Sequence, residues 1–201
     1  MNADAPVAAI SPDVRATLAA EVEQQMKAFR EEMDGKLAEL RARTVDDAAT
    51  IVVFSGDLDK ALAGFVLATG AAAAGLETSM FFTFWGLSVL KKEGASGGSK
   101  NMMERMFAMM TPSSSRSLGT SKMNFFGIGA VMLRKMMKDK QIATLEELMG
   151  LAGELGVKLI ACTMSMDAMG VSKEELVDGL TYGGVATYMA DAVRSRVTLF
   201  I

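Results

Sequence analysis

The only cysteine of this 201-residue chain, Cys162, is its strongest nucleophile. It follows the apolar run 157–161, which is typical of a buried strand, and residues 163–167 leave that strand. Backbone amides in such a segment stabilise a thiolate, the reactive form of cysteine. Free cysteine is also among the most buried residue types, so an inert Cys162 stays open. Its position at the carboxyl end of the predicted strand favours a chemical role.

Two composition facts restrict the chemistry. The chain has no histidine, which excludes Ser-His-Asp and Cys-His mechanisms and histidine-ligated zinc or iron sites. One cysteine excludes an internal disulfide, so nothing indicates an oxidising compartment. The first 13 residues lack the basic start and apolar core of a secretory signal. We therefore expect a cytoplasmic protein.

The charge pattern gives no sign of nucleic-acid binding. The net charge is −3, and the basic residues are scattered instead of clustered as phosphate binding requires. The 18 methionines are better explained as adaptable core residues than as a thioether metal site. We expect no metal and no cofactor.

Residues 61–90 are apolar enough to raise the question of a membrane span, because Glu77 is their only charge. The pattern predicts an Ala-rich helix that breaks at Gly75 and a β-prone aromatic segment at 78–84. A helix followed by a buried parallel strand has the same hydropathy. We therefore predict no membrane span.

The N-terminal region is expected to form a separate arm. Residues 1–12 are predicted to be disordered, and residues 13–44 to form an amphipathic helix with Ser11 as N-cap and Pro12 at the first position. Its apolar residues recur every 3 or 4 positions: Val14, Leu18, Val22, Met26, Phe29, Met33, Leu37 and Leu40. This stripe needs a partner surface, either the chain's own domain or another subunit.

Residues 50–201 alternate between strand and helix patterns. The predicted strands are 51–54, 78–84, 157–162 and 197–201, and the predicted helices are 58–74, 145–155, 172–179 and 185–194. This alternation predicts a three-layer α/β/α domain with a mostly parallel sheet. Residues 92–140 are an insertion with a flexible loop at 94–99 and Met-rich helices at 101–110 and 129–138. We expect it to form a lid or a subunit interface.

The carboxyl ends of parallel strands meet at one edge of a sheet, where ligands bind. We therefore expect Cys162 to be catalytic and a set of neighbouring residues to bind: Thr163, Met164, Ser165, Met166, Asp167, Gly56, Trp85 and Lys122. Trp85 and Tyr182 are expected to wall the pocket, although both are equally well explained as core residues.

Several motifs together resemble one known family. They are Cys162–Gly170 (CTMSMDAMG) followed by Glu174-Glu175-Leu176, Phe82–Leu87 (FTFWGL), Ser121–Asn124 (SKMN), Gly183–Ala186 (GGVA) and Val197–Ile201 (VTLFI). The combination resembles the DsrE/DsrF-like family, in its longer, Met-rich branch. The resemblance covers about residues 50–201 and leaves out the leading helix.

The resemblance implies sulfur carriage, with sulfane sulfur held as a persulfide on Cys162 and passed to a partner thiol. It also implies a homo-oligomer, and donor and acceptor proteins that are TusA-like or rhodanese-like. The protein would be sulfurtransferase-like if it acts catalytically. With no second cysteine in the chain, a partner or a second subunit must take the sulfur.

Other functions stay open. Met164, Met166 and Met169 beside Cys162 are soft ligands that suit Cu(I). Cys162 can also be inert in a regulatory subunit. Relatives are labelled peroxiredoxin-like, but this chain lacks the Pro-x-x-x-Thr-x-x-Cys context and a resolving cysteine. A one-cysteine peroxidase that uses an external thiol remains an alternative.

Overall fold

The computed structural model describes residues 12–43, 46–94, 102, 106 and 111–201. The chain divides into two compact units, Met1–Thr44 and Val45–Ile201, and each is described by itself. The predicted disordered segment 1–12 lies outside the described residues except for Pro12, as does the predicted cap Ser11.

The first unit contains helix α1, Pro12–Arg43. Its predicted apolar stripe is exposed, each side chain between 43 and 61%. The ion pair between Lys36 and Glu32, 2.6 Å, joins successive turns of the helix. That α1 acts as an amphipathic arm remains a prediction.

The second unit is built on a five-stranded sheet. The strands are β1 Asp46–Val53, β2 Glu77–Phe82, β3 Lys158–Cys162, β4 Thr181–Gly183 and β5 Ser195–Phe200. They lie in the order β4-β3-β2-β1-β5, and each neighbouring pair is parallel. The predicted α/β fold with a parallel sheet is confirmed.

Within residues 46–94 and 111–201 the α-helices are α2 Leu58–Ala73, α3 Ile128–Asp139, α4 Leu145–Glu154, α5 Thr163–Met169 and α6 Val185–Ala192. Helices α2 and α4 cover one face of the sheet, and their buried side chains form the larger apolar cluster with Ile51, Met80 and Phe82. Helix α4 begins with a capping box, in which the Thr144 amide donates to Glu147 over 2.7 Å. Helix α6 lies against β1, β4 and β5.

Side chains alternate between the two faces along each strand, as the pleat requires. The opposite face carries a smaller cluster of four buried residues, Val52, Phe81, Ile160 and Cys162, with Tyr188 of α6 packed against it. Among the residues with a described placement, the short helix α6 thus packs against the cluster that contains Cys162.

The prediction of a helix at 172–179 is wrong. A single 3-10 turn, Lys173–Glu175, lies there, and the helix of this region is α5, directly after Cys162. The Ser172 amide donates to the Glu175 carboxylate over 3.1 Å at the start of this turn. The chain does not continue as a helix because Leu176 takes extended backbone angles and forms a bridge with Lys91.

The strand predicted at 78–84 ends earlier, at Phe82. Phe84 has a φ of +47°, which no strand residue adopts, and it begins the 3-10 helix Phe84–Leu90. The last helix and strand are likewise shifted, since α6 ends at Ala192 and β5 begins at Ser195.

The described part of the insertion contains α3, where a helix was predicted at 129–138. The predicted loop 94–99 lies outside the described residues apart from Gly94, and so does the predicted helix 101–110 apart from Met102 and Met106. In the segments that the structure describes, every helix is too short or too polar to cross a bilayer.

Candidate functional site

Cys162 is the last residue of β3 and the N-cap residue of α5. Its backbone is fixed by the sheet, since Ala161 pairs with Phe82 of β2 and Cys162 itself pairs with Gly183 of β4. Its side chain is 0% exposed. The predicted position at the carboxyl end of a strand is observed, and the sulfur is buried in this conformation.

The neighbours of Cys162 are apolar. Val52, Phe81 and Ile160 surround it from the same face of the sheet. The Tyr188 ring lies 5.2 Å from the Phe81 ring, centroid to centroid, with 32° between their planes. Helix α6 thus supplies the aromatic side chain that closes this cluster from above.

The backbone amides of 163–167 are not arranged as the sequence predicts. Helix α5 begins directly at Thr163, so its first-turn amides lie at the end of β3, but the Cys162 side chain accepts no capping hydrogen bond. Because Cys162 lies on the α6 side of the sheet, its thiol packs against apolar groups in this conformation.

The side chains of α5 point in several directions. Ser165 is fully buried, and its hydroxyl lies 2.7 Å from the hydroxyl of Thr83, which ties α5 to the end of β2. Met164 is 54% exposed, whereas Met166 belongs to the larger cluster on the opposite side from the cysteine. Thr163 is half-buried and Asp167 is exposed.

The methionines therefore do not surround Cys162. Met166 and Met169 both pack in the larger cluster, and Cys162 is in the smaller one. Among the described residues, no group of three or more Asp, Glu, Cys or His side chains is placed to hold a metal ion.

Gly56 and Trp85 come together at a different place, a cleft of about 450 Å³ at the carboxyl end of β1. The two backbones are in close contact, since a Cβ on Gly56 would lie 2.7 Å from the Trp85 carbonyl oxygen. Phe54 and Thr120 also line this cleft, and Cys162 does not. The structure therefore separates Gly56 and Trp85 from the buried cysteine.

The charges beside this cleft are paired. The Asp57 carboxylate accepts from the Ser55 hydroxyl over 2.7 Å and contacts the Lys60 ammonium at 2.8 Å. The hydrogen bond that Lys60 makes to Asp57 and the negative charge of that carboxylate raise the pKa of Lys60. The positive charge of Lys60 is thus compensated by its neighbour.

Asp59 fixes the segment that contains Lys122. Partial burial raises the pKa of Asp59, but hydrogen bonds from the Ser121 hydroxyl and amide, 2.5 and 2.8 Å, outweigh it and the pKa is lowered. Lys122 follows Ser121 and is exposed. This anchor holds Lys122 near the start of α2, which covers the other face of the sheet from Cys162.

Tyr182 does not wall a pocket at Cys162. It pairs with Ala161 in the sheet and packs against the larger cluster. The Lys173 ammonium lies 4.7 Å from the centre of its ring. Its position supports the structural explanation offered by the sequence.

Sequence reasoning missed Tyr188, which packs against the cluster that contains Cys162, and Thr187, which lies against Gly183. Gly183 lies beside the cysteine in the sheet, and a Cβ there would lie 2.6 Å from the Thr187 hydroxyl. The adjacent glycines at 183 and 184 are the signal that the sequence offers, because a glycine within a strand often marks a close approach of another segment.

A single buried thiol at the carboxyl end of a strand, in a parallel sheet with helices on both faces, defines a thiol-bearing three-layer α/β protein. A model of the DsrE/DsrF/DrsH-like family matches residues 45–200, and the chain belongs to that family.

This chain matches two relatives over nearly their full length. The uncharacterized protein YrkE of Bacillus subtilis strain 168 is 48% identical over 152 residues, which are 76% of this chain and 95% of YrkE. The sulfur carrier protein DsrE2 of Allochromatium vinosum is 36% identical over 160 residues, which cover 75% of this chain and 96% of DsrE2. The crystal structure of the ychN protein from E. coli aligns with a TM-score of 0.48 and 11% identity, over 77% of this chain and 98% of that one.

Proposed function

We propose that this protein carries sulfane sulfur as a persulfide on Cys162 and delivers it to a thiol of a partner protein. Membership of the family and the 36% identical relative named as a sulfur carrier support this function. The observation that carries it is the placement of the chain's only thiol at the end of β3, with its backbone held by strands on both sides.

Loading is a displacement at sulfur. The Cys162 thiolate attacks the outer sulfur of a donor persulfide, R–S–SH, a new S–S bond forms, and the donor leaves as R–S⁻. An acceptor thiolate then attacks the outer sulfur of Cys162–S–SH, and Cys162 leaves as a thiolate. Each step exchanges one S–S bond for another, so no external oxidant or reductant is consumed.

Delivery requires a second thiol from outside the chain, because the sequence contains one cysteine. We propose TusA-like or rhodanese-like proteins as donor and acceptor, and a homo-oligomer as the working form. A cytoplasmic location fits this chemistry, because the thiols of that compartment stay reduced. Turnover would make the protein sulfurtransferase-like.

The test is intact-mass spectrometry after brief treatment with polysulfide. The wild-type protein is expected to gain about 32 Da or a multiple, one sulfur atom each, and Cys162→Ser to gain nothing. The gain is expected to disappear when a reduced TusA-like protein is added and to appear on that protein. If the mass of the wild-type protein does not change on polysulfide treatment, the carrier function is refuted. A gain of oxygen atoms alone would indicate peroxidase chemistry.

A further inference from the structure

Helix α6 is a thin cover over the smaller cluster. None of its residues is buried, although the helix lies on β1, β4 and β5. On the opposite face, α2 and α4 bury residues along their whole length, including Phe65 and Leu145. Segments that bury few apolar side chains open at low free energy, well below global unfolding. We therefore expect α6 to separate from the sheet more readily than α2 or α4.

The start of α6 is suited to such a movement. Gly183 and Gly184 connect it to β4, and glycine backbones change conformation with little steric restriction. The helix rests directly on the strand at this point, since the Thr187 side chain occupies the space where a Cβ of Gly183 would lie, 2.6 to 2.9 Å away. A Cβ on Gly184 would have no non-neighbouring atom within 4 Å.

The other end of α6 is held by polar contacts. Lys158 of β3 contacts Asp191 at 3.0 Å, with 43% of the lysine side chain exposed, and the Ser195 hydroxyl donates to the Asp191 carbonyl over 2.8 Å. Partly exposed ion pairs contribute little free energy. These contacts position the helix but do not resist its opening strongly.

We propose that α6 is a hinged cover over Cys162, closed by the Tyr188 ring and lifting about Gly183 and Gly184 to admit sulfur. The proposal rests on the carrier function for its purpose. A persulfide extends the cysteine side chain by one S–S bond, about 2 Å. Since the Cys162 sulfur has no exposed surface, loading and delivery both require the cover to move.

The rate at which N-ethylmaleimide alkylates Cys162 in the native full-length protein measures this opening without any sulfur chemistry. We expect Tyr188→Ala to raise the alkylation rate about tenfold or more. A tenfold increase corresponds to a loss of about 1.4 kcal/mol in the free energy that keeps α6 closed. Tyr188→Phe keeps the ring, so it should stay within about twofold of the wild type.

The two glycines provide a matched pair of variants. Gly183→Ala is expected to accelerate alkylation because the new methyl group displaces Thr187 and with it the helix. Gly184→Ala is expected to slow alkylation, since its methyl group enters open space in the closed state but restricts the backbone about which α6 turns. The urea dependence of the alkylation rate separates opening of α6 from global unfolding, because a local opening exposes little surface and its free energy changes little with urea.

Two results would overturn the cover. One is a wild-type alkylation rate equal to that of the unfolded protein in urea, and the other is equal rates in Tyr188→Ala, Tyr188→Phe and the wild type. Polysulfide loading of the same proteins tests the carrier function separately. Alkylation that follows the predicted order without any sulfur uptake leaves the cover intact and refutes the carrier, whereas sulfur uptake with equal alkylation rates refutes the cover alone.

Discussion

The two faces of the sheet are built differently. On one face, Ile51, Met80 and Phe82 pack against α2 and α4. Their apolar cluster extends to residues beyond the carboxyl ends of the strands. The other face has a smaller apolar cluster of four buried residues, and α6, which lies over it, has no buried side chain. We infer that the first face provides most of the stability of the domain. The second face holds the only reactive thiol where a small movement can expose it.

The largest expected difference between the faces is in stability. Phe82→Ala removes a fully buried ring that packs 5.9 Å from Phe65, so it should lower the free energy of unfolding by about 3–5 kcal/mol. Tyr188→Ala removes a half-buried ring from the thin face and should lower it by about 1 kcal/mol. Urea denaturation followed by circular dichroism measures both, and equal losses would contradict the proposed division.

A smaller loss of stability is expected from a substitution at Gly86, which lies beyond the carboxyl end of β2 beside the larger cluster. A Cβ on Gly86 would overlap the Val53 carbonyl group, so Gly86→Ala should destabilise the protein by about 2–3 kcal/mol. Gly70→Ala is the control, because Gly70 lies exposed on α2 with open space around it, and the helix should gain up to about 1 kcal/mol. Thermal denaturation of both variants tests the sign of each change.

The smallest effect is expected at the start of α4. Hydrogen bonds from the Thr144 amide and hydroxyl lower the pKa of Glu147 below its ordinary value of 4.5. A carboxyl with a lowered pKa stabilises the fold above its unfolded pKa, and the contribution is lost as pH falls through the folded value. Thr144→Ala should remove about 1 kcal/mol of capping at pH 7.

The same variant should also have a shallower loss of stability below about pH 5 than the wild type, because it lacks the Thr144 hydroxyl, whose hydrogen bond helps to lower the pKa of Glu147. Urea midpoints between pH 3 and pH 7 give both curves. Parallel curves would show that the capping box does not shift this carboxyl in solution.

Apolar runs and the alternation of strand patterns with helix patterns predicted β1, β2 and β3, because these strands are largely buried and such runs are local features of the sequence. Helix α5 was missed because seven residues with Thr163 and Ser165 in the first turn resemble a loop, and tertiary contacts such as the Ser165–Thr83 hydrogen bond fix it as a helix.

The candidate site could be predicted only in part. The carboxyl end of β3 identifies Cys162 as a residue at the ligand-binding edge. The face to which its sulfur points depends on strand pairing, and its cover depends on where α6 crosses the sheet. Both are non-local features, and so the sequence grouped Gly56 and Trp85 with a cysteine that does not share their cleft.

The most direct test is the chemical state of Cys162 in protein from its native host, alkylated with iodoacetamide at lysis and analysed by peptide mass spectrometry. The account predicts a Cys162 peptide that carries the alkyl group through an extra sulfur, about 32 Da heavier than the simple thioether, and that loses both on reduction. A peptide found only as the simple thioether or as sulfinic and sulfonic acids would contradict it.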